Sequence, residues 1–245
     1  RDLHYPLRRQ RQMCIRDREI ELTESLTETE FDRFPVKKMN LNFATMIEYR
    51  KGLNVRVAFP SEDRIVDTLS ETISKAGRKQ VKITEVEKAV HLGVFLNGKN
   101  GDPFSGEERV VVPTRQDVVL FDEAPDMSID KITEAVIKKI HDETYDLVVT
   151  NLPNVDVLGH IENPDAIVKA VEVVDKNAGL IIEEALQENM TIIVTADHGT
   201  VEKWYYSDGV IDTGHTDSPV PFILLCKDRK SDLSLIHISE PTRPY

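Results

Sequence analysis

Two periods alternate along the chain. Helical spacing appears in "DRIVDTLSETISKA" (63–76), where Ile65, Val66, Leu69 and Ile73 share one face and Gly77 supplies a stop. It returns in "SIDKITEAVIKKIHDE" (128–143), with Ile129, Ile132, Val136 and Ile140 in phase behind Ser128 as N-cap. A third helix is predicted from Asn163 as N-cap and Pro164 at the first helical position, through "NPDAIVKAVEVVDKNAGLIIEEALQEN". Between these lie short apolar runs that read as strands. They are "VRVAF" (55–59), two β-rich runs in "VKITEVEKAVHLGVFLNG" (81–98) separated by a polar "EVEK", "GEERVVVPT" with "DVVLF", "YDLVVTNLP" (145–153), "MTIIVTADHG" and "PFILLC" (221–226). Continuous apolar strands alternating with amphipathic helices predict an α/β domain with a mostly parallel sheet covered on both faces. The chain shows no internal repeat and no low-complexity segment.

Composition narrows the function classes. The 245 residues are 40% hydrophobic and carry a net charge of −12, which argues against a nucleic-acid phosphate-backbone binder. No stretch nears 18 consecutive apolar residues, so no membrane span is predicted. Two cysteines, Cys14 and Cys226, suggest no disulfide framework and favour a reducing, cytoplasmic compartment. Charge is uneven. Residues 1–18 hold six Arg and two Asp, a net of +4, leaving −16 for the remainder. A basic block of this kind reads as a nucleic-acid arm or a disordered tail. "MCIRDR" and "LSLIHISEPTR" (233–243) match a third description, in-frame translation of sequencing-adapter DNA. On that reading residues 1–18 and 233–245 are adapter-derived, and His4, Cys14 and His237 carry no functional weight.

Candidate chemistry gathers at predicted strand ends, where open α/β sheets place their ligands. "NLPNVDVLGH" follows one strand and "ADHG" another. Asp156, His160, Asp197, His198 and His215 stand out, because carboxylate and neutral imidazole suit Mn, Zn or Fe alike. Asp156 and His160 are four apart, so one helical turn or a tight loop brings them together. Asp197 and His198 are adjacent, and just past a strand end both can turn toward neighbouring metals. His215 comes from a third segment and could complete either site. His91, in a predicted apolar strand, and His141, closing a helix where a cation suits the dipole, are assigned structural roles.

"NVDVLGH", "TADHGTVEKW" and "HTDSPVPFILL" resemble the C-terminal part of the cofactor-independent (2,3-bisphosphoglycerate-independent) phosphoglycerate mutases, in the alkaline phosphatase superfamily. That family carries D-x-V/L-G-H, then A/C-D-H-G-N-x-E, then H-T-x-x-P-V-P-F. The separations from Asp156 to Asp197 (41) and from His198 to His215 (17) agree with it. "ITEVEKAVHLGVFLNG", "DPFSGEERVVVPT" and "DEAPDMS" resemble further family segments, so the likeness covers about residues 19–228. It implies an alkaline-phosphatase-like three-layer sandwich, here truncated at both ends. Residues 19–60 would be the end of the phosphotransferase domain and a linker, and 61–232 a partial phosphatase-like metal-binding domain. It also implies two divalent metals, usually Mn²⁺. Asp156, His160 and His215 match the ligands of one, Asp197 and His198 ligands of the other, and Lys88 a lysine that contacts substrate phosphate.

The family interconverts 3-phosphoglycerate and 2-phosphoglycerate through a phosphoserine. Its nucleophilic serine, in G-N-S-E-x-G-H, does not occur in this sequence. Thr200 stands where the family has Asn, and Arg18, which aligns near a substrate arginine, lies at the adapter junction. The expectation is a cytoplasmic monomer acting on a small-molecule phosphoglycerate, with no nucleic-acid or membrane partner, and inactive by itself. Rival readings are a phosphopentomutase, phosphatase or sulfatase of the same superfamily, or an inert metal-binding fragment.

Overall fold

The computed structural model describes residues 15–28, 30–37, 39–50, 52–59, 65–115, 117–142 and 144–227. The expectations for residues 1–14 and 233–245, with His4, Cys14 and His237, lie outside them. The chain divides into two compact units, the second beginning at Val66.

The first unit holds helix α1 (Ile15–Thr27) and two short parallel strands, β1 (Ala44–Ile47) and β2 (Arg56–Phe59). β2 falls within the predicted "VRVAF". Ionic contacts fasten α1 to the segment before β2. Arg50 reaches Glu24 at 3.0 Å and also pairs with Glu28. The helix runs unbroken through the predicted boundary between residues 18 and 19.

The second unit is built on a parallel three-stranded sheet ordered β4–β3–β5: β3 (Gln80–Glu85) in the centre, β4 (Glu107–Val112) and β5 (Leu147–Thr150) beside it. Every β3 residue is buried, and its two faces differ. Val81 and Ile83 join Val112, Ile132, Val136, Ile140 and Ala185 in the core under helix α3 (Ile129–His141). Gln80, Lys82 and Thr84 point the other way, into a dry polar layer. There Gln80 donates to the Ser70 carbonyl at 2.7 Å, in helix α2 (Leu69–Lys75). The Lys82 ammonium donates to Asn97 Oδ1 and lies 3.4 Å from Glu107 Oε1. Glu107 in turn accepts from Arg109 Nε at 2.6 Å and from Asn97 Nδ2 at 2.8 Å. A buried carboxylate needs this many donors to offset its lost hydration.

Helix α4 (Asn154–Gly159) follows β5, and the long helix α5 (Pro164–Gln187) follows α4. Asn163 caps α5, its Oδ1 accepting from Ala166 N at 3.2 Å, as its sequence predicts. A buried Thr133 Oγ1–Asn177 Oδ1 hydrogen bond of 2.7 Å joins α3 to α5. Strands β6 (Ile192–Thr195) and β7 (Phe222–Leu225) form a separate antiparallel pair.

Several predicted elements differ. α2 starts at Leu69, not at 63. Thr68 caps it by accepting from Glu71 N, and Glu71 reaches back to Asp67 N, so a capping signal ends the apolar stripe and leaves Ile65 and Val66 exposed. The second run of 81–98 is not a strand. Val86–Lys88 forms a 3₁₀ turn and His91–Phe95 a π turn, because a short apolar run fits either period. "DVVLF" forms no ladder, and Phe121–Glu123 is a 3₁₀ turn. Just before it, Arg115 grips Asp117 at 2.6 Å and Asp126 at 2.9 Å. Ser128 occupies the N-cap position but does not cap; its hydroxyl donates to the Pro113 carbonyl. The predicted buried strands β6 and β7 are half open, with Ile193 and Phe222 exposed, since a two-stranded ribbon offers less cover than a full sheet. Among the described residues no helix is long and apolar enough to cross a membrane.

Candidate metal centre

The predicted site residues sit beyond the C-terminal ends of three strands. Lys88 lies in the turn that follows β3. Asp156 and His160 are on and just after α4, which follows β5. Asp197 and His198 follow β6, and His215 precedes β7. α4 is a short helix with two unlike faces. Val157 and Leu158 are fully buried. Asp156 and His160, one turn apart, share the opposite face. Its N-terminus is pinned by Asn154, whose Nδ2 donates to the carbonyls of Pro125 and Asp126 at 2.8 and 3.0 Å. Its C-terminus meets the loop after β6. Trp204 Nε1 donates to the Gly159 carbonyl at 3.3 Å, and a Cβ on Gly159 would lie 2.5 Å from Thr200 Cγ2. Only glycine lets these segments approach so closely.

Three donor atoms converge. Asp156 Oδ1 is 3.2 Å from His160 Nε2 and 3.1 Å from His215 Nε2, and the two nitrogens are 3.2 Å apart. Donors held about 2.1 Å from one ion are roughly 3.0 Å apart at right angles and roughly 3.4 Å apart at the tetrahedral angle. The observed triangle lies between those values, so these residues fit a divalent ion. His198 Nε2 is 3.8 Å from Asp156 Oδ1 and 3.5 Å from Asp197 Oδ2, and its ring stacks on that of His215 at 3.5 Å. The other carboxylate oxygen, Asp156 Oδ2, takes the buried Lys88 ammonium at 2.6 Å. All six predicted residues therefore lie in one neighbourhood.

Hydrogen bonds orient the imidazoles. His160 Nδ1 lies 2.7 Å from the Thr213 carbonyl, an oxygen that only accepts, so Nδ1 carries the proton and Nε2 faces the cluster. His198 Nδ1 has the same relation to the Gly199 carbonyl at 3.3 Å. Burial pushes the Asp156 carboxyl up. The His160 and His215 hydrogen bonds and the Lys88 charge outweigh it and hold Asp156 well below the usual carboxylate range. Burial lowers the His160 imidazole, but the Asp156 hydrogen bond and charge bring it above its ordinary value. His198 is lowered, chiefly by burial, against the pull of Asp197 and Asp156.

Two further neighbours lie outside the six predicted residues. His91, expected in a strand interior, is exposed in the π turn. Partial desolvation of its ring by the surrounding protein lowers its proton affinity even so, Lys88 lowers it further, and Asp197 and Asp156 act against both. Glu202 accepts from Thr200 N at 2.8 Å and from the Thr216 hydroxyl, joining the His198 and His215 loops. Its place in the sequence, four residues past His198 in "DHGTVE", is the signal that marks it.

The chain is similar to proteins already known. Over 216 residues the chain is 39% identical to a 2,3-bisphosphoglycerate-independent phosphoglycerate mutase of Clostridium botulinum, covering 87% of this chain and 42% of that one. It is 38% identical over 216 residues to the enzyme of the same name from Flavobacterium psychrophilum, covering 88% and 42%. A crystal structure of Leishmania mexicana phosphoglycerate mutase at low cobalt concentration superposes with a TM-score of 0.75 at 28% identity, covering 84% of this chain and 40% of that chain. The fold is thus the α/β, alkaline-phosphatase-like one, and the chain spans about two fifths of the length of the relatives it matches. Residues 13–240 match the family model described as the metalloenzyme superfamily, and the chain belongs to that superfamily.

Proposed function

We propose that this chain is the metal- and phosphate-holding part of a phosphoglycerate mutase, an isomerase that interconverts 3-phosphoglycerate and 2-phosphoglycerate in glycolysis through a phosphoserine. The observation that carries the reading is the triangle of Asp156 Oδ1, His160 Nε2 and His215 Nε2, with sides of 3.1–3.2 Å. These three would hold one divalent ion, and Asp197 and His198 would contribute to a second, with Mn²⁺ the expected metal at both. A bound divalent ion supplies positive charge beside a phosphoryl oxygen, which lowers the cost of charge developing there.

The chain's own groups do the positioning. Asp156 binds through one oxygen and anchors Lys88 through the other, so the ammonium is held at the edge of the metal triangle. An ammonium there is a point charge suited to a phosphoryl oxygen. The Thr213 carbonyl fixes the His160 ring so that Nε2, not Nδ1, is offered. On this reading residues 19–60 close a second, phosphotransferase domain, and the working state is a cytoplasmic monomer whose partner is a small phosphoglycerate rather than a nucleic acid or a membrane. The serine motif does not occur in the 245 residues. This chain alone is therefore expected to bind metal without mutase turnover.

Equilibrium dialysis with Mn²⁺ tests the reading. Wild type should bind an ion that His215→Ala binds at least about tenfold more weakly, since a ligand is lost outright. Equal binding by the two would refute the centre. Turnover of 3-phosphoglycerate by the chain alone would refute the division of labour.

A further inference from the structure

β6 and β7 pair only as far as Thr195 and Phe222, and residues 196–221 leave the ribbon between them. That excursion carries both His198 and His215, and the strand pairing does not dictate how its two limbs meet. What joins them is local. Thr216 N donates to the Gly199 carbonyl at 2.9 Å, closing an isolated antiparallel bridge. Above the bridge sits the Glu202 carboxylate. One oxygen accepts from the Thr216 hydroxyl and the other from Thr200 N at 2.8 Å. Thr216 Oγ1 also accepts from Ser218 N at 3.3 Å. Gly199 makes room for this knot, because a Cβ there would press well inside van der Waals contact with both Glu202 Oε1 and Thr216 Oγ1.

We propose that Glu202 is a positioning residue: it clasps Thr200, two residues past His198, to Thr216, next to His215, and so sets the 3.5 Å stacking of those two rings and the direction of their nitrogens. Its consequence for metal geometry rests on the metal-centre reading above; the clasp itself does not. A ligand held by a loop is only as well placed as the partners that hold the loop, and loss of such an outer partner typically weakens metal binding about 10–100-fold. The carboxylate suits the task because both of its oxygens accept. Burial pushes its carboxyl up, but the Thr216, Ser218 and Thr200 bonds outweigh that and keep it ionised.

Amide and carboxylate make different demands here. In Glu202→Gln the side-chain oxygen can still accept from Thr200 N, and the amide nitrogen can donate to Thr216 Oγ1, reversing one bond and losing none. Glu202→Ala removes both. The first measurement uses the metal-free protein. Ring-current shifts of the His198 and His215 Hε1 protons should persist in Glu202→Gln and collapse in Glu202→Ala. The second is a Co²⁺ titration followed by visible absorption. Glu202→Ala should bind at least about tenfold more weakly, with an altered spectrum, while Glu202→Gln stays near wild type. Thr216→Val removes one of the two bonds and should move the rings in the same sense as the alanine variant but by less, and the double variant should be no worse than Glu202→Ala alone. If Glu202→Ala does not fold, Thr216→Val decides the same question. Unmoved ring shifts in the variants overturn the clasp whatever the metal does. A wild type that binds no Co²⁺, yet whose rings respond to Glu202→Ala, overturns the metal centre and leaves the clasp standing.

Discussion

The centre is assembled from two arms held by different physics. Asp156 and His160 ride on α4, whose opposite face, Val157 and Leu158, is fully buried. His198 and His215 ride on an excursion held by hydrogen bonds at its own surface, through Gly199, Glu202 and Thr216. Packing that fixes the first arm is part of the core, so it cannot loosen without the fold loosening. Hydrogen bonds to a carboxylate are each worth about 1.5–3 kcal/mol, less than the stability of a whole domain, so the second arm can lose its geometry while the domain stays folded. Half of the site is thus insured by global stability and half by local detail.

Substitutions can break this contrast, and the largest effect belongs to the packed arm. Leu158→Ala removes a fully buried side chain and should cost about 2–5 kcal/mol in denaturant melts, with metal affinity and stability falling together. If affinity fell with stability untouched, the packed arm would be no different from the looped one. Next is the anchor of α4. Glu85 is buried, its Oε2 accepts from Ser128 N at 3.2 Å, and the same 125–128 turn receives Asn154 from α4. Burial raises the Glu85 carboxyl to about 7. A folded-state value above the unfolded one favours the folded form at low pH. That stability is complete below about 4.5 and is lost as pH rises through about 7, by up to about 3 kcal/mol. Wild type should therefore lose stability between pH 5 and 8, and Glu85→Gln should flatten that slope; a parallel slope in the variant would discount this carboxyl. The smallest effect sits where the arms touch. Trp204→Phe keeps most of the ring but loses the bond to the Gly159 carbonyl, and should cost about 1 kcal/mol with little change in Mn²⁺ binding.

The packed arm is also the more legible in sequence. Asp156 and His160 are four apart, and any helical turn brings them together, so that pairing needs no tertiary knowledge. The helix caps at Asn163 and Thr68 are written in single residues, although at Thr68 the apolar phase of Ile65 and Val66 masks the cap. The looped arm can be named but not built. His198 and His215 are visible as residues suited to metals, yet nothing in their spacing says that their rings stack. Glu202 is marked by its place in "DHGTVE", but its partner Thr200 N and the Thr213 carbonyl that holds His160 are backbone groups, whose chemistry is the same at every position and leaves no mark in a sequence. His91 is misplaced by its sequence for a related reason: its apolar neighbours fit a strand, and the π turn that exposes it has no period of its own.

The polar layer beneath β3 has a bearing on how the sheet finds its partners. Lys82 is opposite Arg109 in the native ladder and finds its counter-ion one pleat back, at Glu107. Let β4 slide by two residues so that Val111 faces Lys82, and Glu107 moves away from both the ammonium and Asn97, leaving the buried Lys82 charge without its carboxylate. A strand of plain valines would tolerate that slide, for one valine packs much like the next. Here misalignment strands a buried ammonium without its counter-ion, which is among the steepest penalties a sheet can impose. The lysine in the middle of the central strand therefore works as a parity check on assembly: it adds little to the finished molecule's strength and a great deal to the cost of finishing it wrongly.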